Sequence, residues 1–300
     1  MAKEKVKIRY KFKRISDVYF FIMFCIVAIY VLFFGENNVF QYFGIIQPTK
    51  ENTVSVINVG QACSTLISSN GQFCLIDAGQ TDDGQDKIVE YLKSKGVTEL
   101  ELFVITHFDT DHISEVVDVL DNFEVRDVVI PRLADKNIPY DYTYDVLIER
   151  AENGDFNLYH AMKGDIFTIG NGILTVLDDT YNDLGINNTS IATLFTQGTF
   201  TFLSTGDGEE LYEKRLLREF SRHVTLFLAA HHGASNANTE EFLKVISPDF
   251  VAVSAGKCNK YRHPNKEAVQ NYEKYAGQYN ITFRDGTLVY SMDTKELIEN

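Results

Sequence analysis

The chain has 300 residues, of which 45% are hydrophobic and 23% are charged, a composition that excludes a disordered, collagen-like or coiled-coil protein. Residues 1–17 carry seven basic and two acidic side chains, a net +5, which leaves −19 for the rest of a chain whose formal net charge is −14. A body this acidic repels nucleic-acid backbones at long range, so chemistry on a polyanion would need a local cationic site such as bound metal ions.

An uncharged apolar run occupies residues 18–34 and is long enough to cross a bilayer. The basic residues before it predict a cytoplasmic N-terminus and place the chain after Gly35 on the outer side. A cleaved signal peptide is the alternative, but no small-residue cleavage site follows the run. We therefore expect a basic cytoplasmic head at 1–17, a transmembrane helix at 18–34, a linker at 35–50, and an extracellular domain at 51–300.

From Thr53 onward, short apolar strands alternate with amphipathic helices. The first half predicts strands over 54–59, 64–69, 73–78, 102–106 and 128–131, with helices over 88–96 and 115–123. The second half predicts strands over 172–177, 191–196, 199–205, 225–230 and 250–254, helices over 209–220, 239–246 and 265–276, and a hairpin turning at Asp285-Gly286. Two such blocks predict an α/β fold in which two sheets pack face to face with helices outside, a four-layer α/β/β/α sandwich.

Metal-competent side chains are concentrated directly after one predicted strand. His107, Asp109, Asp111 and His112 follow strand 102–106 within six residues. Strand ends are common places for functional sites, and four such groups at this density are poorly explained as a solvated acidic loop. The spacing allows two groups of ligands to face two adjacent ions.

Further polar residues follow other predicted strands. Asp207 comes after strand 199–205, the pair His231-His232 comes after strand 225–230, and His263 lies in the loop after strand 250–254. Taken alone, Asp207 would be interpreted as a helix cap and either histidine as a core residue. Their recurrence at equivalent strand ends favours a shared site.

These segments resemble the metallo-β-lactamase fold family. HFDTDH (107–112) is similar to its HxHxDH signature, STGD (204–207) to its bridging-aspartate motif, and AAHHG (229–233) to the segment of a later ligand histidine. The order of INVGQAC (57–63), LIDAG (75–79), NNTS (187–190) and SAGKCNKYRHP (254–264) around them resembles the domain of ComEC-type DNA-uptake proteins. Two departures are Asn58, where that family has Asp, and Ala62-Cys63, where it has Gly-Asp.

The resemblance implies a dinuclear centre whose metal ligands are His107, Asp109, Asp111, His112, Asp207 and one of His231 and His232. The sequence does not order this pair, and His231 is favoured as the ligand. Asp207 would bridge the ions and Asp111 would also orient the attacking water, while His232 would support the site. His263 would bind a phosphate oxygen or protonate the leaving group. Asp109 replaces an imidazole, so the ions are expected to be Zn²⁺ or Mn²⁺.

The cysteines are interpreted separately from this site. Cys25, Cys63, Cys74 and Cys258 form no CxxC pair, so their spacing predicts neither a zinc knuckle nor a disulfide framework. We expect buried, unpaired thiols and assign them no role.

Three functions remain open at this point. The first is a membrane-anchored, outward-facing metal-dependent phosphodiesterase, which the resemblance implies is a nuclease acting on DNA or RNA. A second, which fits the acidic body better, is hydrolysis of a small or cell-wall phosphodiester such as a phosphorylcholine or teichoic-acid ester. The third is a non-catalytic binding relic of the fold. No basic cluster with interleaved aromatic residues is evident as a groove for a nucleic-acid strand, and the sequence does not predict the oligomeric state.

Overall fold

A computed structural model describes residues 50–80, 87–133, 138–139, 141–179, 185 and 187–299, together with Tyr19. Contacts within the chain divide it into two compact units, Met1–Gln47 and Pro48–Asn300. The predicted head, membrane helix and linker lie outside the described residues, apart from Tyr19 and Lys50. Within the described part of the chain, no helix has both the length and the apolar character needed to span a bilayer.

The second unit consists of short strands interrupted by helices. The strands are β1 (Thr53–Val56), β2 (Thr65–Ser69), β3 (Gln72–Ile76), β4 (Glu99–Val104), β5 (Glu124–Ile130), β6 (Asn157–His160), β7 (Ile166–Ile169), β8 (Gly172–Asp179), β9 (Ile191–Gln197), β10 (Phe200–Ser204), β11 (Leu226–Leu228), β12 (Phe250–Val253), β13 (Gln278–Ile281), β14 (Leu288–Ser291) and β15 (Glu296–Glu299). The helices are α1 (Lys87–Ser94), α2 (Thr110–Ile113), α3 (Val116–Asn122), α4 (Tyr142–Asn153), α5 (Glu210–Leu216), α6 (Glu240–Ile246), α7 (Lys266–Tyr275) and α8 (Thr282–Asp285), and 3₁₀ turns occupy Asn187–Thr189 and Ala230–Gly233.

The strands form two sheets. The first has the order β15-β14-β1-β2-β3-β4-β5-β6, and the second has the order β13-β12-β11-β10-β9-β8-β7. Strands β3, β4, β5 and β6 run parallel to one another, as do β10, β11, β12 and β13. Each sheet therefore has a block of strands whose carboxyl ends meet at one edge, which is where ligand sites form in parallel sheets.

Three apolar clusters establish the layers. Residues of both sheets, among them Val104 and Phe202, pack together between them. The other face of the first sheet packs on Ile88 of α1, Val116 of α3 and Leu147 of α4, and the second sheet packs in the same way on α5, α6 and α7. The predicted four-layer α/β/β/α sandwich is confirmed. Burial on both faces explains why the strands appear in the sequence as continuous apolar runs rather than alternating ones.

The strands predicted over 64–69 and 73–78 form a hairpin. Strands β2 and β3 pair antiparallel with Ser69 opposite Gln72, which leaves a two-residue turn at Asn70 and Gly71. Both turn residues have positive φ, 50° and 80°, as a type I′ hairpin turn requires.

The hairpin predicted at Asp285-Gly286 is wrong. Strand β13 pairs parallel with β12 in the second sheet, whereas β14 pairs antiparallel with β1 in the first. The chain crosses between the sheets through α8, and the Asp285 carboxylate accepts a hydrogen bond from the Ile281 N–H at 3.0 Å. An Asp-Gly pair was therefore mistaken for a hairpin turn although it ends a short helix.

Candidate metal centre

The carboxyl ends of strands from both sheets bring the candidate ligands together. Asp77 follows β3 and His107 follows β4 in the first sheet, while Asp207 follows β10 and His232 follows β11 in the second. Within each sheet these strand pairs run parallel, so their ends lie at the same edge.

Glycines allow the loops at this edge to approach one another. A Cβ placed on Gly79 would lie 1.7 Å from the backbone oxygen of Asp111, and a Cβ on Gly206 would lie 2.7 Å from Oγ of Ser190. Both distances are shorter than van der Waals contact, so the segments LIDAG and STGD pack only with glycine at these positions. Ser190 Oγ also accepts a hydrogen bond from the Asp207 N–H at 3.0 Å, which fixes the start of that loop.

The centre of the cluster is buried. His107 and His112 are 0% exposed and Asp207 is 2% exposed. Nε2 of His112 lies 3.1 Å from Oδ1 of Asp207, and Nε2 of His107 lies 3.9 Å from its Oδ2. A donor atom from each of the three residues lies within 4.8 Å of the others, close enough to share one metal ion.

Two more carboxylates lie at the open side of this cluster. The side chains of Asp109 and Asp111 are 38% and 34% exposed. Asp109 Oδ2 is 3.8 Å from Nε2 of His107, and Asp111 Oδ2 is 3.2 Å from Nε2 of His232. The carboxylates thus approach different imidazoles, and Asp207 lies between the two groups.

The two adjacent histidines differ in their surroundings. Their Nε2 atoms are almost equally far from Oδ2 of Asp207, at 3.8 Å for His231 and 3.9 Å for His232. His232 is 1% exposed, and its Nδ1 lies 2.9 Å from the backbone oxygen of Ser254. The His231 side chain is 24% exposed. Only His232 therefore has its ring orientation fixed from behind by this carbonyl.

The donor atoms fit divalent metal ions. Nε2 of His107, His112 and His232, together with Oδ1 of Asp207, are buried and have no hydrogen bond of acceptable geometry among the described residues. Buried polar atoms are rarely left in this state. Imidazole nitrogens and carboxylate oxygens that face one another are favourable when a cation lies between them. This is the arrangement in a metal site rich in histidine and carboxylate.

The electrostatics of the cluster follow from the burial of these charges. Burial and the neighbouring His112 lower the pKa of His107 to about 4, so its imidazole is neutral at pH 7. Burial disfavours charged His112, but the carboxylates of Asp207 and Asp77 outweigh it and raise the pKa of His112 well above its usual value. Burial would likewise raise the pKa of Asp207, but His112 and His232 hold it well below the ordinary range. Asp207 is therefore a carboxylate that requires positive charge around it.

Asp77 orients His112, a role that sequence reasoning missed. Its Oδ2 lies 2.7 Å from Nδ1 of His112 and accepts a hydrogen bond from Oγ1 of Thr106 at 2.8 Å, while its Oδ1 accepts one from the Thr106 N–H at 2.7 Å. Its backbone has a φ of 58°. A carboxylate behind a ligand histidine fixes which ring nitrogen carries the proton. The only available signal was the LIDAG motif itself, which does not specify this contact.

His263 lies beside the cluster rather than within it. Its ring is half-buried, with centroids 5.5 Å from the His231 ring and 6.3 Å from the His232 ring. Burial, reinforced by His232 and His231, lowers the pKa of His263 to about 4. The Asn259 Oδ1 accepts a hydrogen bond from the His263 N–H at 2.9 Å and so fixes the loop. A neutral imidazole here can donate one hydrogen bond to a ligand at the cluster.

The loop that carries His263 is cationic. Residues 257–266 include Lys257, Lys260, Arg262 and Lys266, all exposed, and contain no carboxylate. The Tyr261 ring stacks on His263 with centroids 5.5 Å apart, and the residue is 52% exposed. The sequence analysis found no basic cluster with interleaved aromatic residues that marks a groove for a strand. The structure adds that KCNKYR (257–262), with three basic residues and one exposed aromatic ring, lies beside the cluster of metal-competent residues.

The family is established by comparison with known proteins. The model of the metallo-β-lactamase superfamily matches residues 57–257, which is more than half of the chain. The chain belongs to this superfamily. Its fold and its cluster of metal-competent residues are those of a metal-dependent hydrolase, and the superfamily implies divalent metal ions, typically two.

Competence proteins are among the relatives of the chain. ComE operon protein 3 of Bacillus subtilis is 26% identical over 261 residues, covering 81% of this chain and 33% of that protein. Competence protein ComA of Neisseria gonorrhoeae is 26% identical over 226 residues, covering 75% of this chain and 30% of that protein. The chain thus spans about a third of the length of these relatives.

A solved structure agrees on the fold. The metallo-β-lactamase fold protein YhfI of Bacillus subtilis aligns with a TM-score of 0.54 and 13% identity, covering 80% of this chain and 99% of that protein.

Replacement of Asp77 by Asn tests its role in orienting His112. The amide is nearly isosteric and Asn tolerates the positive φ, but its NH₂ would donate to Nδ1 of His112 and favour the tautomer whose Nε2 carries the proton. We expect Asp77→Asn to fold and to bind metal about 10- to 100-fold more weakly, measured by competition with a chelator. The exposed Asp155, in the turn after α4, gives the control Asp155→Asn. Unchanged metal affinity in Asp77→Asn would contradict the assignment.

Proposed function

We propose that the chain is a membrane-anchored, outward-facing phosphodiesterase that uses two divalent ions, and that its substrate is a DNA or RNA strand. The observation that carries the proposal is the buried carboxylate of Asp207 between two groups of donor atoms, at an edge flanked by a cationic loop. The basic segment before the apolar run 18–34 supports the anchor and the orientation.

The residues divide naturally between two ion positions. His107 and Asp109 would hold one ion, Asp111 and His112 would hold the other, and Asp207 would contact both. Two such ions lower the pKa of a bound water and stabilise the attacking and leaving oxygens of a phosphodiester. Asp111 is partly exposed at the mouth of the cluster, where its carboxylate can also orient a water.

The remaining ligand in this proposal is His232. The sequence favoured His231 as the ligand and gave His232 a supporting role, but the contact of the His232 Nδ1 with the Ser254 carbonyl supports the reverse arrangement. His231, which is more exposed and lies next to the His263 ring, would then face the substrate.

The cationic loop supports a nucleic-acid strand as the substrate. The acidic body repels a polyanion, whereas Lys257, Lys260 and Arg262 attract phosphates locally. An exposed aromatic ring at the same place offers a surface on which a base can stack, as in proteins that bind single strands. His263 would donate its hydrogen bond to a phosphate oxygen. A small or cell-wall phosphodiester is the second candidate, and the acidic charge of the rest of the body favours it.

The assignment of a ligand between the adjacent histidines has a direct test. We expect His232→Ala to lose close to one of two bound ions per chain, because it removes a donor whose ring is already fixed. His231→Ala should retain both ions. The measurement is metal content of the purified protein after dialysis. The opposite pattern would restore His231 as the ligand.

Loss of the shared carboxylate tests the two-ion proposal. We expect the wild-type protein to cleave bis(p-nitrophenyl) phosphate and a labelled oligonucleotide, and Asp207→Ala to lose at least about a thousandfold in activity together with one or both ions, because two cations then repel each other without a carboxylate between them. Asp155→Ala is the control. Full activity in Asp207→Ala would exclude the dinuclear site, and cleavage of choline phosphodiesters in preference to the oligonucleotide would favour the second candidate.

If a base stacks on the Tyr261 ring, replacing this residue should change KM for one substrate and not for the other. Tyr261→Ala should raise KM for the oligonucleotide about tenfold or more, since a stacked base contributes roughly 1–3 kcal/mol. It should leave KM for bis(p-nitrophenyl) phosphate nearly unchanged, since that substrate does not need the loop. Tyr142→Ala, which removes a 72% exposed tyrosine on α4, is the matched control. An equal change for both substrates would indicate a structural effect instead.

A further inference from the structure

Cys63 lies against the proposed centre in a position that the backbone fixes. It belongs to the loop between β1 and β2 and is 4% exposed. Its N–H donates to the backbone oxygen of Asp111 at 2.9 Å, and its own carbonyl accepts from the Gly79 N–H at 2.9 Å. The preceding residue, Ala62, accepts a hydrogen bond from Oγ of Ser254 at 2.6 Å. Three segments of the site therefore hold the thiol in place.

The sulfur lies close to two buried imidazoles. Donor atoms of Cys63, His112 and His232 all lie within 4.8 Å of one another, and all three residues are buried. Nε2 of His112 and Nε2 of His232 have no hydrogen bond of acceptable geometry among the described residues. These two nitrogens are independent of the cysteine and themselves point to a cation.

Hydrogen bonding to His232 does not account for the position of the sulfur. Sγ of Cys63 is 3.7 Å from Nδ1 of His232, whereas the Ser254 oxygen is 2.9 Å from the same nitrogen. A neutral imidazole has one proton to give at Nδ1, and the nearer carbonyl is the stronger acceptor. A hydrogen bond from this nitrogen therefore does not fix the sulfur.

We propose that Cys63 is a sulfur ligand to the ion held by His112 and His232, and that this position therefore takes a soft divalent cation such as Zn²⁺. The position of His107 and Asp109, which has no sulfur donor, takes a harder one such as Mn²⁺. Thiolate selects softer ions and carboxylate selects harder ones. This inference rests on the proposed two-ion centre and adds that its two positions are chemically unlike.

The proposal changes the meaning of the departure at position 63. The sequence analysis named Cys63, in place of Asp, as a departure from the family and assigned the cysteines no role. Both side chains carry a donor atom, so the exchange replaces an oxygen by a sulfur at a fixed place. Its consequence is a different metal preference.

Cobalt spectroscopy of the full-length chain tests the inference directly. Co²⁺ bound to a thiolate has a charge-transfer absorption in the near ultraviolet, which nitrogen and oxygen ligands do not produce. We expect this band in the wild-type protein and its loss in Cys63→Ser at unchanged cobalt content. Cys74→Ser, at a buried strand residue, and Cys258→Ser, in the exposed loop, should retain it. Cys63→Ser should also lower the affinity for Zn²⁺ relative to Mn²⁺ about tenfold or more.

The outcomes separate this inference from the function on which it rests. Two bound cobalt ions without a sulfur band in the wild type would overturn the role of Cys63 and leave the two-ion centre standing. Absence of bound cobalt would overturn the centre and the inference together. If Cys63→Ser does not fold, cadmium NMR of the wild-type protein still reports whether one of two bound ions has a sulfur ligand, and a spectrum with nitrogen and oxygen ligation alone would reject the proposal.

Discussion

The site depends on the burial of one carboxylate, that of Asp207, at the junction of two sheets. Removing an ionised carboxylate from water costs several kcal/mol unless positive charge compensates it. Asp207 is 2% exposed, and the imidazoles of His107 and His112 reach it from the first sheet while those of His231 and His232 reach it from the second. These donor atoms fit metal ions, which would supply the positive charge that Asp207 needs. The stability of this edge and its proposed function would then have the same physical origin.

Hydrogen bonds and close packing from neighbouring residues fix the orientation of several side chains of the site. Asp77 is held by Thr106 and in turn orients His112, while Ser254 orients His232 from the opposite sheet. The close packing at Gly79 fixes the backbone of Asp111. His112, His232 and Asp111, three of the proposed ligands, are thus positioned by neighbours outside the proposed ion positions, which is how metal sites keep their geometry and their affinity.

The sequence predicted the layers and the clustering of the site well, because both depend on local patterns. Apolar runs that end in His or Asp mark buried strands with polar carboxyl ends, and this signal needed no tertiary information. Local patterns could not predict contacts between segments that are distant in the sequence. The bond between Asp77 and His112 joins residues 35 apart in the chain, and the crossing of the chain between sheets at Asp285 depends on which strand pairs with β14.

Helix α4 was missed for a different reason. Only two of its residues, Thr143 and Leu147, are buried, so it has almost no apolar periodicity to detect. Its boundaries come instead from the Asp141 side chain, which accepts a hydrogen bond from the Thr143 N–H, and from Gly154 in the left-handed region. Capping residues alone are a weak signal in a sequence, since Asp and Gly are also common in turns.

The formal charge of the proposed centre explains why a cationic loop lies beside it. Four carboxylates lie at the proposed ion positions or directly behind them, those of Asp77, Asp109, Asp111 and Asp207, and two divalent ions would balance them. A thiolate at Cys63 would leave the centre with a net charge of about −1, because a coordinating thiol loses its proton. A centre of this charge has little attraction for a phosphodiester at a distance, even though its ions bind phosphate oxygens on contact. Long-range attraction must then come from outside the centre, and the exposed cations of residues 257–266 are placed where they can supply it.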